Sequence, residues 1–212
     1  PLIDADAARA SASRDERPWG GFRRRMAAAI ERFDEAELDG VYDEALSLHP
    51  VQRVTTALLL PLLAELGERW ESVPGAIAEE HFFATYLRSK LGSRLRHLVR
   101  HAAGPTMIAA CAPGERHEFG LMLFALQAGA AGLRPVLLGA DTPLDDIALA
   151  QRRSGAEAVV LSSSIDPAPS MLKHALPDLV RRTAVPVFVG GSTAVRHRRA
   201  IAASGAIPIG RD

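Results

Sequence analysis

The sequence has a single cysteine, and its 25 basic residues are matched by 25 acidic ones. One cysteine excludes an intramolecular disulfide and suits a reducing compartment, so we expect a cytoplasmic protein. A net charge of zero gives no overall attraction to nucleic acid or to a membrane surface. No apolar run reaches the roughly 20 residues of a membrane span, and no signal peptide is visible. The composition is that of a globular protein of one or two domains, and the opening Pro1 indicates a piece of a longer chain.

Three segments of different character follow one another along the chain. Residues 1–17 are rich in Ala, Ser, Asp and Arg without apolar periodicity, which is typical of a flexible arm or linker. Residues 18–103 contain four apolar helical patterns with short connections, which predict a four-helix bundle. Residues 104–212 alternate β-prone runs with helical segments, which predicts an α/β domain with a Rossmann-like, doubly wound, five-stranded parallel sheet.

Local signals place the elements. The first helix is predicted by an apolar face at three- and four-residue steps: Phe22, Met26, Ile30 and Phe33. Asp34 followed by Glu37 predicts the start of the second helix, Pro61 should kink the third, and the fourth should cover residues 76–101. The predicted strands are Thr106–Cys111, Pro135–Leu138, Ala158–Ser162, Val185–Val189 and Ala206–Ile209. The helices between and after them are predicted at 118–131, 143–153, 170–182 and 194–203.

The most informative motif is Glu115-x-His117-x-x-Gly120, which follows the first predicted strand. This position is the carboxyl end of a strand, where open α/β sheets bind ligands. Glu115 can accept a hydrogen bond from one ring nitrogen of His117, which leaves the other nitrogen free to ligate a metal. Gly120 would allow a bulky ligand to approach the backbone. The alternative is a loop histidine that is merely hydrogen-bonded to a neighbouring carboxylate.

The motif resembles the Asp/Glu-x-His-x-x-Gly signature of cobalamin-binding domains, and three later segments match that family in order and spacing. They are Leu-Gly-Ala-Asp-Thr-Pro at 138–143, Leu-Ser-Ser-Ser at 161–164 and Val-Gly-Gly-Ser at 189–192. The resemblance covers 104–212 and implies that His117 is the lower axial ligand of cobalt. It also implies that four residues line the pocket of the nucleotide tail: Ser162, Ser164, Gly190 and Gly191. A nicotinamide dinucleotide fold is disfavoured because no Gly-x-Gly-x-x-Gly follows the first strand.

In the helical part, Trp70, nine intervening residues and Glu80-His81 resemble a signature of light-dependent, cobalamin-dependent transcriptional regulators of the CarH/LitR-like kind. In that family the helical bundle caps the upper face of the corrin. The resemblance implies that Trp70 packs on the adenosyl group of adenosylcobalamin, and that Glu80 and His81 hydrogen-bond around it. Without the resemblance, Trp70 would be taken for core and the Glu-His pair for surface.

The resemblance implies a light sensor rather than an enzyme. Photolysis of adenosylcobalamin would change conformation and the assembly of a homo-oligomer, a dimer or tetramer, and thereby regulate transcription or a partner protein. DNA would be reached only through a segment before Pro1, because no helix-turn-helix is present in this sequence. Glu71 follows Trp70 where some photoreceptors have His, which puts a histidine at the vacated upper position in doubt. A second chromophore such as a bilin is not excluded, although Cys111 lies in a predicted strand.

Two other functions share this architecture. A corrinoid methyl-carrier protein of a methyltransferase system has a helical cap and the same cobalamin domain, but it has no need to hold an adenosyl group. A cobalamin-responsive antirepressor would act by protein interaction without photochemistry. The preferred form of the cofactor separates these alternatives from a light sensor.

Overall fold

The structure is a computed structural model that describes residues 19–69 and 73–210. The predicted arm at residues 1–17 lies outside the described residues. Helix α1 covers 19–31, and α2 is Glu35–Leu48. The third helix, α3, is built from Val51–Val54, a π-helical stretch at Thr55–Leu59, and Leu60–Glu68. Helix α4 is Ala76–His101, with the bounds that the sequence predicts.

The first three helices are joined by contacts between their side chains. Arg25 of α1 lies 2.6 Å from the carboxylate of Glu44 on α2, and Arg23 lies 3.8 Å from that of Glu65 on α3. Beneath these surface pairs the helices bury an apolar core, of which the largest side chains are Met26, Ile30, Leu38, Tyr42, Leu58, Leu62, Leu66, Phe83 and Leu87. The predicted cap is confirmed, because Asp34 Oδ1 accepts a hydrogen bond from Glu37 N at 3.0 Å.

Two details of the helical part differ from prediction. Phe33 lies beyond the end of α1 with a φ of +55°, which turns its side chain off the helix face and leaves it 51% exposed. Its ring instead meets that of Phe82 edge-on at 5.4 Å. The irregularity expected at Pro61 precedes the proline as the π-helical stretch of α3, where Leu60 N–H donates to Thr55 O. A π-turn is one of the recognised ways in which a helix accommodates such a break.

The second half of the chain contains the predicted five-stranded parallel sheet, in the order β2-β1-β3-β4-β5. The strands are β1 Thr106–Cys111, β2 Arg134–Gly139, β3 Ala158–Ser162, β4 Val187–Gly190 and β5 Ile207–Pro208. The connecting and closing helices are α5 Phe119–Ala130, α6 Leu144–Ser154, α7 Leu176–Thr183 with a π-helical start at Met171–Ala175, α8 Ser192–Arg196 and α9 Arg198–Ala203.

The strand order determines on which face of the sheet each helix lies and where the switch point falls. The chain moves outward from β1 to β2 and then crosses back to β3, and right-handed crossovers place α5 on one face and α6 and α7 on the other. The point where the order reverses lies between β1 and β3. In open α/β sheets this switch point is where ligands bind.

The bounds of several elements differ slightly from prediction. Strand β4 begins two residues later than expected, β5 is reduced to two residues, and the predicted helix 194–203 is the pair α8 and α9. The chain divides into two compact units between Ser89 and Lys90, a boundary inside α4. The predicted boundary at 103–104 instead follows the end of that helix. None of the described helices is both long enough and apolar enough to span a bilayer.

Candidate functional site

The loops that follow β1 and β3 flank the switch point of the sheet. The first, residues 112–118, carries Glu115 and His117, and the second begins at Ser163. Cys111, the last residue of β1, is paired with Ser162, the last residue of β3, so both loops leave the sheet at the same level. The parallel register therefore brings together two segments that are about 50 residues apart in the sequence.

Glu115 is the centre of the contacts between these loops. Its side chain is fully buried, and its two carboxylate oxygens point in different directions. Oε1 accepts a hydrogen bond from His117 N at 2.8 Å and lies 2.6 Å from His117 Nδ1. Oε2 accepts hydrogen bonds from Ser164 N at 2.5 Å and from Ile165 N at 3.2 Å. One buried carboxylate thus ties the β1 loop to the β3 loop.

The surroundings of Glu115 favour its ionised form. Burial by itself raises the pKa of the carboxyl group, since it disfavours the charged form. Hydrogen bonds from the backbone N–H groups of His117 and Ser164, together with the imidazole, outweigh burial and hold the pKa of Glu115 below its usual value. An ionised carboxylate can only accept hydrogen bonds, so every donor around it is correctly matched.

The orientation of His117 follows from this arrangement. Because Glu115 can only accept, Nδ1 must carry the hydrogen and donate it across the 2.6 Å contact. In the neutral imidazole, Nε2 then has a free lone pair. The side chain of His117 is 76% exposed, so the imidazole is presented to the outside of the loop rather than to the core. This is the geometry of a preoriented nitrogen ligand whose tautomer is set by a carboxylate.

The loop after β2 completes the support of the motif. Asp141 Oδ1 accepts a hydrogen bond from Gly114 N at 2.6 Å, and Asp141 N donates to Glu115 O at 2.8 Å. Thr142 N donates to the carbonyl oxygen of Cys111 at 3.3 Å. Asp141 belongs to the Leu-Gly-Ala-Asp-Thr-Pro segment that matched the cobalamin family by sequence. The structure gives that segment a concrete role, which is to fix the backbone on either side of Glu115.

The serines after β3 contribute differently from what the sequence suggested. Ser164 meets Glu115 through its backbone N–H, while its side chain is exposed and Ser162 is only partly buried. The buried hydroxyl is that of Ser163, whose Oγ lies 3.0 Å from Thr193 Oγ1. Thr193 in turn donates to Ile165 O at 2.6 Å and so holds the β3 loop against α8. The sequence prediction omitted Ser163, and only its position between two chosen serines could have indicated it.

The three predicted glycines serve different purposes. Gly191 has a φ of +87°, and a Cβ there would lie 2.3 Å from Ser163 O, so this position requires glycine for the fold itself. A Cβ on Gly190 would make ordinary contacts with Ile209. A Cβ on Gly120, in the first turn of α5, would meet no atom within 4 Å. The space around Gly120, three residues after His117 in the sequence, is therefore open.

The predicted residues of the helical part are brought together only in part. Trp70 and Glu71 lie outside the described residues. Glu80 is partly buried in the second turn of α4, and its Oε2 lies 3.8 Å from Nε2 of the exposed His81. Glu79, which the prediction passed over, is the more buried carboxylate, with Oε2 3.2 Å from the guanidinium of Arg69. Glu79 lies three residues after Ala76, which is buried on the same helix. This helical spacing is the sequence signal that could have indicated a buried Glu79.

Comparison with known proteins gives a family match for part of the chain. Residues 22–94 match the model of the B12 binding domain family. The match lies on the helical part of the chain and includes Trp70, Glu80 and His81.

Two relatives of the chain come from Myxococcus xanthus. It is 34% identical over 206 residues to the HTH-type transcriptional repressor CarH, covering 92% of this chain and 66% of CarH. It is 32% identical over 185 residues to the HTH-type transcriptional repressor CarA, covering 87% of this chain and 62% of CarA. The chain thus spans a little less than two thirds of each repressor. These matches confirm the predicted resemblance to cobalamin-dependent regulators, and both relatives are named as repressors rather than enzymes.

A solved structure has the same fold. The monomethylamine corrinoid protein of Methanosarcina barkeri superimposes with a TM-score of 0.62 over 88% of this chain and 91% of its own, at 22% identity. The likeness confirms the predicted fold class of a helical N-terminal part followed by a Rossmann-like domain. At this level of identity it carries no information about activity.

The residues of the sheet edge fit a cobalt corrinoid. The corrin supplies the four equatorial nitrogens itself, so the protein needs to offer only one axial donor. His117 offers one exposed imidazole with its tautomer fixed by Glu115, and the space at Gly120 is open. Among the described residues, no group of three or more histidine, cysteine, aspartate or glutamate side chains is arranged to hold a metal ion.

Proposed function

We propose that this chain is the cofactor-binding half of a light sensor that uses adenosylcobalamin to regulate transcription. The observation that carries the proposal is the buried Glu115 carboxylate, which orients His117 and simultaneously fixes the β3 loop. A histidine ligand needs one ring nitrogen held by the protein and the other open to the outside. Here one nitrogen is committed to Glu115 and the imidazole is 76% exposed.

In this proposal His117 would hold the cofactor by donating the lone pair of Nε2 to cobalt. Glu115 keeps the proton on Nδ1 and strengthens the donor character of the opposite nitrogen. Ser162, Ser164, Gly190 and Gly191 would line the pocket of the nucleotide tail, since they lie at the ends of β3 and β4 on the same edge of the sheet. Small side chains and the exposed turn at Gly191 leave that edge accessible to a slender group.

The upper side of the cofactor is assigned to the B12 binding domain at 22–94. We assign Trp70 to the adenosyl group, on whose purine its indole ring could stack. Glu80 and His81 would supply hydrogen-bonding groups beside it, and both carry side chains that water reaches. When bound, adenosylcobalamin would supply a cobalt–carbon bond that light breaks. Loss of the adenosyl group would remove contacts with Trp70 and its neighbours, and a change in contacts of this kind is what shifts a conformational equilibrium.

The regulatory output is proposed from the relatives. CarH and CarA are named as HTH-type repressors, and they extend beyond the part that this chain covers. We propose that a light-dependent change in homo-oligomeric assembly, between a dimer or tetramer and smaller species, is passed to DNA through such an additional segment. A protein partner would be the target if the sensor acts without a DNA-binding segment.

The first experiment is an absorption spectrum of the chain loaded in the dark with adenosylcobalamin, recorded before and after green light, with size exclusion on both samples. A sample loaded with hydroxocobalamin and irradiated identically is the control, since it has no alkyl group to lose. The proposal expects a spectral change and a change in elution volume only in the adenosyl sample. Tight binding of methylcobalamin or hydroxocobalamin with no binding of the adenosyl form would refute the light sensor. It would favour a methyl carrier or an antirepressor.

A further inference from the structure

Positive charge is concentrated in one part of this otherwise neutral chain. Residues 81–114 contain five lysines and arginines and not a single aspartate or glutamate. Most of these cations lie on the second half of α4, whose exposed positions from residue 93 onward are Ser93, Arg94, Arg96, His97, Arg100 and His101. A stretch of sequence with cations and no acidic residue of its own favours a local positive potential that the net charge does not reveal.

Two of these arginines, together with Arg134 outside this stretch, surround a groove between α4 and the edge strand β2. The groove has a volume of about 700 Å³, with Arg96 and Arg100 on the helix side and Arg134 on the strand side. We call it the arginine groove. Its residues all belong to the compact unit that begins at Lys90. Arg134 begins β2, so the groove opens near the amino end of that strand, whereas His117 follows the carboxyl end of β1. It is therefore separate from the cobalamin site.

The three guanidinium groups are not held by ion pairs with the described part of the chain. Each is exposed, and across residues 19–69 and 73–210 none of them forms an ion pair. Arg100 is in the last turn of α4, where a cation stabilises the helix dipole. The same argument does not extend to Arg96, more than one turn from the end of the helix, or to Arg134 on the strand.

The form of the groove favours a polyanion over a peptide. Arg134 N donates to Pro105 O, so the next residue, Pro135, places its nitrogen on the outer side of β2 and offers no N–H to an added strand. The lining also includes partly exposed apolar side chains, those of Val99, Ala102 and Leu137. The charged side chains that line the groove are the three guanidinium groups, and these favour an anionic ligand. Arginine is especially suited to binding phosphate through paired N–H donors.

We propose that the arginine groove binds the phosphate backbone of duplex DNA without sequence preference. The choice of DNA among polyanions rests on the proposed role in transcription, while the polyanion-binding surface itself does not depend on cobalamin or light. Such contacts would add affinity and position the chain along the duplex, whereas base recognition would belong to another segment.

The test measures binding of the whole 212-residue chain to a fluorescein-labelled duplex of random sequence by anisotropy, over a series of salt concentrations. The first variant is the triple change Arg96→Gln, Arg100→Gln and Arg134→Gln. The matched control removes the same charge from exposed arginines of the same unit by Arg152→Gln, Arg153→Gln and Arg199→Gln. Circular dichroism and the spectrum with hydroxocobalamin are recorded for every protein.

If the proposal holds, the groove variant loses about tenfold or more in affinity at low salt, and the slope of log K against log salt falls by about three, one for each lost phosphate contact. The control variant should stay within about twofold of the unmodified chain. Equal losses in both variants, or no binding of the duplex by the unmodified chain, would overturn the proposal. So would binding of labelled polyglutamate through the groove in preference to the duplex, which would indicate an acidic protein partner.

The two proposals can fail separately. Cobalamin binding without DNA binding would refute the proposed role of the arginine groove and leave the proposed light sensor unaffected. DNA binding through the groove by a chain that takes up no cobalamin would do the reverse.

Discussion

Replacing Glu115 with glutamine would change the site with almost no change in side-chain size. The carboxylate receives hydrogen bonds from two backbone N–H groups on Oε2, those of Ser164 and Ile165, and from the backbone and ring of His117 on Oε1. A glutamine keeps one acceptor oxygen and turns an NH₂ group toward one of these pairs of donors. About two hydrogen bonds to a charged group are then lost, each contributing roughly 1.5–3 kcal/mol. We expect Glu115→Gln to lower the free energy of unfolding by about 3–6 kcal/mol.

The same change should weaken cofactor binding, because His117 loses the group that fixes its tautomer and orientation. Loss of such a supporting contact typically costs about 10- to 100-fold in metal affinity. Stability is measured by urea unfolding followed by circular dichroism, and affinity by absorbance titration with hydroxocobalamin. Glu157→Gln is the matched control, since Glu157 is an exposed carboxylate of the same unit. Its effect on stability should stay within about 0.5 kcal/mol.

The outcome separates two roles of Glu115. A variant that is destabilised but binds cobalamin normally would show that the carboxylate serves only to join the β1 and β3 loops. A variant that keeps both the unfolding free energy and the affinity of the unmodified chain would refute the reasoning altogether.

Four further predictions concern residues in and beside these loops. His117→Ala should weaken hydroxocobalamin binding and remove the spectrum of histidine ligation. The control His174→Ala removes an exposed imidazole and should change neither. Unchanged spectra in His117→Ala would exclude the lower-ligand role. Gly191→Ala should lower the urea midpoint, by about 2–4 kcal/mol in unfolding free energy, because its φ is +87° and the methyl group would lie 2.3 Å from a backbone oxygen. Gly120→Ala should unfold like the unmodified chain yet bind cobalamin more weakly; equal losses of stability in the two variants would contradict this. Cys111 should resist alkylation at pH 8 until the protein unfolds, because burial, aided by nearby carboxylates, raises the pKa of its thiol to about 12. Rapid modification of the native protein would reopen the question of a thiol-anchored bilin.

Elements with strong local signals could be predicted to the residue. Strands β1 and β3 and helix α4 have the predicted bounds, because each is an unbroken apolar or periodic run between clear turn residues. Strand β5 was predicted twice as long as it is, since its length depends on pairing with β4 alone at the edge of the sheet. Phe33 was assigned to the face of α1, but the need to begin α2 at the Asp34 cap ends α1 before that residue. Interactions between elements decided both cases.

The site divides in the same way. The contact between Glu115 and His117 spans two residues and could be predicted from the motif alone. The hydrogen bonds from Ser164 and Ile165 to the same carboxylate span about 50 residues and depend on the pairing of β1 with β3. The sequence therefore indicated a carboxylate that orients a histidine. It could not indicate that this carboxylate also holds the neighbouring loop, or that Ser163 rather than Ser162 or Ser164 buries its hydroxyl.

The two glycines Gly120 and Gly191 show why a motif match alone does not assign a role. Both were chosen because glycine lets a ligand approach the backbone, and the sequence offers no means of telling them apart. At Gly191 the protein itself fills the space, since Ser163 O lies where a Cβ would be, so selection for the fold is sufficient to explain the residue. At Gly120 the space is open, and α5 would form at least as well with alanine. Open space at a helical glycine does not by itself indicate a ligand, so the case for Gly120 rests on its place in the motif, three residues after His117.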